Sequence, residues 1–153
     1  MTAVLATDFT VKRLEEMEGA WGGIFVRARA SLGVGSFGMQ VYLMPPNSGD
    51  VFPEHDHLFD GQEEVYHLLA GTADLHLPGC VVALDSETFV RVGPDTRRRL
   101  RSGPNGARIL VIGGVPGAAY QPAVNSTLGG PELFGCPTAS SSMIQGGPAP
   151  QLP

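Results

Sequence analysis

Gly49-Asp-Val-Phe-Pro-Glu-His55-Asp-His57-Leu-Phe-Asp-Gly-Gln-Glu63-Glu64-Val-Tyr66-His67-Leu-Leu-Ala-Gly71 is the stretch on which the fold turns. In an extended strand, residues two apart share a face, so His55 and His57 present two imidazoles to one side while Asp56 points away. Glu63 and Glu64 open the next apolar run, and a hairpin between the two runs brings one of these carboxylates back beside the histidines. Two ring nitrogens and one carboxylate oxygen form a three-point ligand set with coordination positions left open. His67, in the phase opposite Glu64, is assigned to an outer or interface position, and His76 to a strand beside a turn.

Outward from this stretch, short apolar runs alternate with glycine and proline. Ile24 to Ala30 reads IFVRARA, with Phe25, Arg27 and Arg29 in one phase and Ile24, Val26, Ala28 and Ala30 in the other, which predicts a strand with one buried face. Phe37, Met39, Val41 and Leu43 share a phase, and Pro45-Pro46-Asn47-Ser48-Gly49 ends that run with turn chemistry. Gln40 and Tyr42 fall on the opposite face, which is either an exposed strand surface or a wall of the histidine cavity. Further strands are predicted at Val51–His57, Glu64–Leu69, Ala73–Leu77, Val81–Leu84, Thr88–Val92 and Ile109–Ile112, separated by Gly71, Pro78-Gly79, Gly93-Pro94 and Gly103-Pro104-Asn105-Gly106. Eight short strands with little helix imply an all-β sandwich or closed barrel. Before them, Val11, Leu14 and Met17 recur every three residues, the mark of a short helical turn. The organisation expected is a lead-in over residues 1–21, one barrel domain over 22–114, and an extended Gly/Pro/Ser-rich C-terminal tail over 115–153, partly pinned to the barrel.

Composition narrows the partners. The chain of 153 residues has room for one core. A net charge of −5 with ten Lys plus Arg gives no basic field for phosphate backbones, so no nucleic acid is expected. Cys80 and Cys136 stand far apart and outside any zinc spacing, which fits two free thiols in a reducing cytoplasm. No run of eighteen apolar residues occurs, and the first residues do not read as a secretion signal, so no membrane association is expected.

The central stretch resembles the first signature of the cupin superfamily: a glycine, five residues, His-x-His, a short gap, a glutamate, six residues and a glycine. Gly49, His55, His57, Glu64 and Gly71 match in type, and the outer intervals match too, while the gap between His57 and Glu64 is six residues rather than three or four. Leu58 to Gln62 therefore reads as a small insertion. Counting back from Gly71 selects Glu64, with Tyr66 and Leu68 in its phase, and holds Glu63 in reserve. The second cupin signature, which normally carries a fourth ligand histidine, corresponds to Val90–Arg99 and contains none; Arg98, or Arg99 with one residue of slip, stands there. A guanidinium has no lone pair to give a cation. The resemblance spans Gly22 to Gly114 and implies a single-domain jelly-roll (double-stranded β-helix) barrel, often a homodimer.

Two functions follow from that resemblance. In one, His55, His57 and Glu64 hold a divalent transition metal (Fe, Mn, Ni, Zn or Cu) for oxygenation, isomerisation or cyclisation of a small organic substrate, with Arg98, Tyr66 and Gln40 lining its place. In the other, the barrel is a non-catalytic module holding a small anionic ligand through Arg98 and the histidines.

Overall fold

Residues 8–132 are described by the computed structural model. Their regular structure is strand β1 (Gly19–Ala20), β2 (Phe25–Val26), a short helix α1 (Ala28–Leu32), then β3 (Gly38–Met44), β4 (Glu63–Leu77), β5 (Cys80–Leu84), β6 (Phe89–Val92) and β7 (Arg99–Gly114), with 3-10 turns at Leu14–Glu16 and Val124–Ser126. All strand pairs are antiparallel, in the order β1-β2-β3-β7-β4-β5, with β6 also on β4. An isolated bridge between His55 and Arg98 ties the segment after β3 to the approach of β7. The fold is all-β, as the alternation and turn spacing predict, and takes the barrel form that the resemblance implies.

Its two long strands change face partway. On β4 the buried residues are Glu64, Tyr66 and Leu68, then Ala73 and Leu75; on β7 they are Leu100 and Ser102, then Ala107, Ile109 and Val111. Because side chains alternate with a period of two, an odd offset can be absorbed only by a bulge, and the β4–β7 register shifts between Leu68 and Ala70 and again between Gly71 and Ala73. Gly71 sits at this crossing with φ of 83°, where a Cβ would collide with the Gly106 carbonyl. The interior is aromatic and tightly filled: Tyr42 stacks between Phe25 and Phe52, with ring centroids 5.5 and 4.1 Å away. On the outer face of β3, Met39, Val41 and Leu43 pack against Leu14, Met17, Val26 and Ala28.

Several predicted elements differ from those observed. Of Ile24 to Ala30, only Phe25–Val26 is extended, and the chain then turns into α1, which ends at Gly33 with φ of 79°. The arginines that supplied the polar half of the alternation are buried. Arg27 donates to the carbonyls of Asn125 and Gly130 at 2.9 and 2.8 Å and pairs with Glu18, and Arg29 donates to the Val34 carbonyl at 2.9 Å and lies over the Tyr120 ring. Their acceptors come largely from the other end of the chain, out of reach of any local pattern. Val51–His57 is not a strand: it pairs only at His55, and Pro53 has no N–H for a ladder. The predicted runs at Glu64–Leu69 and Ala73–Leu77 are one strand, and the Gly103–Gly106 separator lies inside β7.

Beyond Gly114, residues 115–132 return across the barrel. Glu132 accepts the Trp21 backbone N–H at 2.9 Å, and Glu18 accepts that of Gly129 at 2.8 Å. Cys136, the serines at 140–142 and the proline-rich end lie outside the described residues. Cys80 is exposed and unbridged. No helix among the described residues is long and apolar enough to cross a membrane.

Candidate metal centre

The two histidines are held by the turn that precedes β7. His55 exchanges backbone hydrogen bonds with Arg98 at 3.1 and 2.9 Å, and the His57 N–H donates to the Pro94 carbonyl at 2.7 Å. Glu64 arrives from β4, flanked by Val92 of β6 and Gly113 of β7. A side chain at position 113 would press on the Glu64 Cγ at 3.4 Å and the Gln62 Oε1 at 3.1 Å, so the glycine leaves the space in which the carboxylate lies. Glu63, one residue away, turns outward and pairs with Arg91 at 2.6 Å.

One donor atom each from His55, His57 and Glu64 lie within 4.8 Å of one another. His57 Nε2 is 3.3 Å from Glu64 Oε1, and His55 Nε2 is 3.9 Å from Oε2. The 3.3 Å approach lacks the alignment of a hydrogen bond, which leaves His57 Nε2 buried without a hydrogen-bond partner. Glu64 is 8% exposed, whereas the His55 side chain is 38% exposed and opens the cluster to solvent.

The outer ring nitrogens fix the tautomers. His57 Nδ1 faces the Asp60 carboxylate at 3.0 Å and His55 Nδ1 faces the Pro53 carbonyl at 3.0 Å. Each acceptor requires a proton on Nδ1, so in the neutral rings the lone pair is on Nε2, and both lone pairs are directed at one carboxylate. Lone pairs that converge on an anion leave room only for a cation. A proton serves one ring, whereas a metal ion serves both, so the residues fit a metal.

Electrostatics separates the two rings. Burial pulls the His57 pKa down, but the Glu64 and Asp60 carboxylates outweigh it and raise the net value. For His55 burial prevails and the pKa falls. Burial pushes Glu64 up, but His57, the Tyr66 hydroxyl and His55 more than offset it and hold the carboxylate ionised below its usual range. Tyr66 and Tyr42 are both raised, first by burial and then by the Glu64 charge.

The remaining sequence-derived residues take distinct places. Arg98 is fully buried; its terminal nitrogens donate to the Thr96 and Gly93 carbonyls at 2.8 and 3.3 Å, and its Nε stands 3.3 Å from Glu64 Oε2. Tyr66 donates its hydroxyl to the same oxygen at 2.5 Å. Gln40 is buried on the inner face of β3, and its amide nitrogen, turned toward the Val26 and Met39 carbonyls, donates to them at 3.0 and 3.2 Å. Arg99 turns outward to Asp50, and Arg97 to Glu54 and Asp56. His67 stacks on Phe89 at 4.1 Å, away from the cluster. Two surface hollows of about 520 and 560 Å³ share Leu43 and Arg108 and include none of the three clustered residues. Asp60 was not anticipated as part of the site; its signal was its position three residues after His57 in a loop with a glycine at 61.

No protein-family model matches the sequence, and no curated protein matches it. Among solved structures, a cupin protein from Bacteroides fragilis superposes with a TM-score of 0.59 at 18% identity, covering 77% of this chain and 93% of that one. The DMSP lyase DddQ from Ruegeria pomeroyi aligns at 26% identity with a TM-score of 0.46, over 55% of this chain and 41% of that one. A cupin-2 domain containing protein from Shewanella frigidimarina aligns at 13% identity with a TM-score of 0.41, over 50% and 69%. The first likeness shows that the chain has the cupin fold; the other two reach only about half of it.

Proposed function

We propose that this cupin-fold chain binds one divalent transition-metal ion on His55, His57 and Glu64 and acts on a small organic molecule admitted at the exposed edge of His55. The observation that carries the reading is the pair of Nδ1–H groups committed to Asp60 and Pro53, which turns both Nε2 lone pairs toward a single carboxylate. When bound, such an ion supplies a Lewis acid with positions free for substrate oxygen atoms. The chain's own residues hold and tune the donors. Tyr66 and Arg98 both engage Glu64 Oε2 and leave Oε1 on the His57 side. Arg98 also adds a fixed positive charge where a neutral fourth histidine is usual, which favours an anionic or enolisable substrate. The buried Tyr42–Phe52 stack adds aromatic bulk to the barrel interior. Oxygenation, isomerisation and cyclisation all suit this donor set; a homodimer belongs to the same proposal by family resemblance, and a cytoplasmic location by the sparse cysteines of the sequence.

A second reading takes its support from Arg98. Its guanidinium draws on the carboxylate that a metal needs, and a closed Arg98–Glu64 pair beside His57, whose pKa the neighbouring carboxylates raise, suits a small anion without metal. Elemental analysis of protein purified without a histidine tag separates the two. The metal reading expects about one transition-metal ion per chain. Metal-free protein that refuses iron, manganese, nickel, zinc and copper at neutral pH, yet binds a small carboxylate, supports the second.

A further inference from the structure

We infer that Asp60 is a positioning residue, which fixes the Nδ1-protonated tautomer and the ring angle that turn His57 Nε2 toward Glu64. As regards metal, the inference rests on the site proposed above. Asp60 places both carboxylate oxygens near His57 Nδ1, at 3.0 and 3.3 Å. The carboxylate is itself gripped: the Gln62 backbone N–H donates to Oδ1 at 3.1 Å and the Gln62 side-chain amide to Oδ2 at 2.6 Å. The loop is wound to bring it there, since the N–H groups of Asp60 and Gly61 both turn back to the His57 carbonyl, at 3.3 and 2.8 Å, and Gly61 takes φ of 72°. Phe59 closes the other side, its ring 5.9 Å from the imidazole and inclined by 27°. The segment between His57 and Glu64 is thus a clamp built on the histidine that begins it.

The partner of the other imidazole sharpens the point. His55 Nδ1 donates to a peptide carbonyl, a neutral acceptor, whereas His57 Nδ1 donates to an anion. A carboxylate behind a ligating imidazole raises its basicity as a donor and restricts its rotation, and loss of such a partner typically weakens metal binding about 10- to 100-fold. His57 is therefore the stronger of the two nitrogen donors, and Asp60 is the reason.

The test uses zinc affinity by chelator competition, together with imidazole ¹⁵N resonances of the metal-free protein, for wild type, Asp60→Ala, Asp60→Asn and Asp56→Ala. Asp56 stands in the same segment and accepts the Leu58 N–H at 3.1 Å without touching His57, so its variant reports general damage to the loop. Zinc affinity is expected to fall about 10- to 100-fold in Asp60→Ala and by less in Asp60→Asn, and to stay near wild type in Asp56→Ala. The metal-free Asp60→Ala protein should lose the preference for a proton on His57 Nδ1. Equal zinc affinity in Asp60→Ala and Asp56→Ala, with an unchanged ¹⁵N pattern, overturns the inference while leaving the metal site standing. If wild type takes no zinc, the ¹⁵N pattern alone decides: a shifted tautomer in Asp60→Ala upholds the role of Asp60, and an unshifted one ends it, while the proposed function fails separately, on refusal of iron, manganese, nickel, zinc and copper alike.

Discussion

Arg27 and Arg98 are both buried arginines, 3% and 0% exposed, and their surroundings differ in one respect. Every guanidinium nitrogen of Arg27 has an acceptor: Asn125, Gly130 and Glu18. Arg98 is satisfied only at its two terminal nitrogens; its Nε faces Glu64 without hydrogen-bond alignment, and across the same carboxylate His57 Nε2 also lacks a hydrogen-bond partner. Buried polar groups in folded proteins are nearly always hydrogen-bonded, so two nitrogens that meet one carboxylate only as ion-pair neighbours at 3.3 Å set Glu64 apart from the fully bonded surroundings of Arg27. The saturated arginine fastens the returning segment to the barrel. The unsaturated one borders the site.

The largest effect that can break this contrast is on stability. Arg27→Ala leaves the Asn125 and Gly130 carbonyls without their donor, while Glu18, partly exposed, keeps the Gly129 N–H; it is expected to cost about 2–4 kcal/mol in chemical denaturation, with zinc affinity unchanged. A chain ended after Gly114 should lose as much, because the acceptors at Asn125 and Gly130 go with the segment, whereas one ended after Glu132 should melt cooperatively. Equal metal loss in Arg27→Ala would mean that the two arginines are not separable.

Next in size is the glutamate pair. Glu64→Ala should weaken metal binding at least about 100-fold, and Glu63→Ala, which severs only an exposed pair with Arg91, should change it little. The reverse order would put the wrong residue in the cluster.

The pH dependence is smaller. Protons and metal compete for His57 Nε2, and the carboxylates around that ring raise its pKa above the ordinary value of about 6.5. Affinity should thus begin to fall while the pH is still above 6.5, by up to about tenfold per pH unit once His57 is protonated. His55, whose pKa burial lowers, should add its own loss only at lower pH. Isothermal titration across pH 5–8 reads both, and a single onset below 6.5 would contradict the assigned order. The smallest effect is expected from Arg98→His, which removes a competing cation and offers a donor: a gain of about three- to tenfold in zinc affinity, against a modest loss of stability from the freed Thr96 and Gly93 carbonyls.

The same contrast shows how far the sequence could be read. His55, His57 and Glu64 were legible because the glycine-bounded frame is a local rule, and the three side chains do come together although the segment carrying the histidines is no strand. Arg27 and Arg29 were misread because the period-two alternation in IFVRARA hides a turn into a short helix, and both guanidinium groups are buried against carbonyls that include Asn125, Ser126 and Gly130, about a hundred residues on. Val51–His57 looked like a strand by composition, yet Pro53 cannot ladder. Asp60 passed as spacer because its role depends on the turn closed on the His57 carbonyl, which spacing alone does not reveal.

The most direct test of the central claim is cobalt(II) titration of metal-free, untagged protein at neutral pH under reducing conditions, followed by visible absorption. Wild type should take up about one ion per chain with ligand-field bands, His55→Ala and His57→Ala should take up none at stoichiometric cobalt, and His67→Ala and His76→Ala should match wild type. Absence of uptake by wild type, or uptake that survives loss of both His55 and His57, would contradict the assignment of the metal to this cluster.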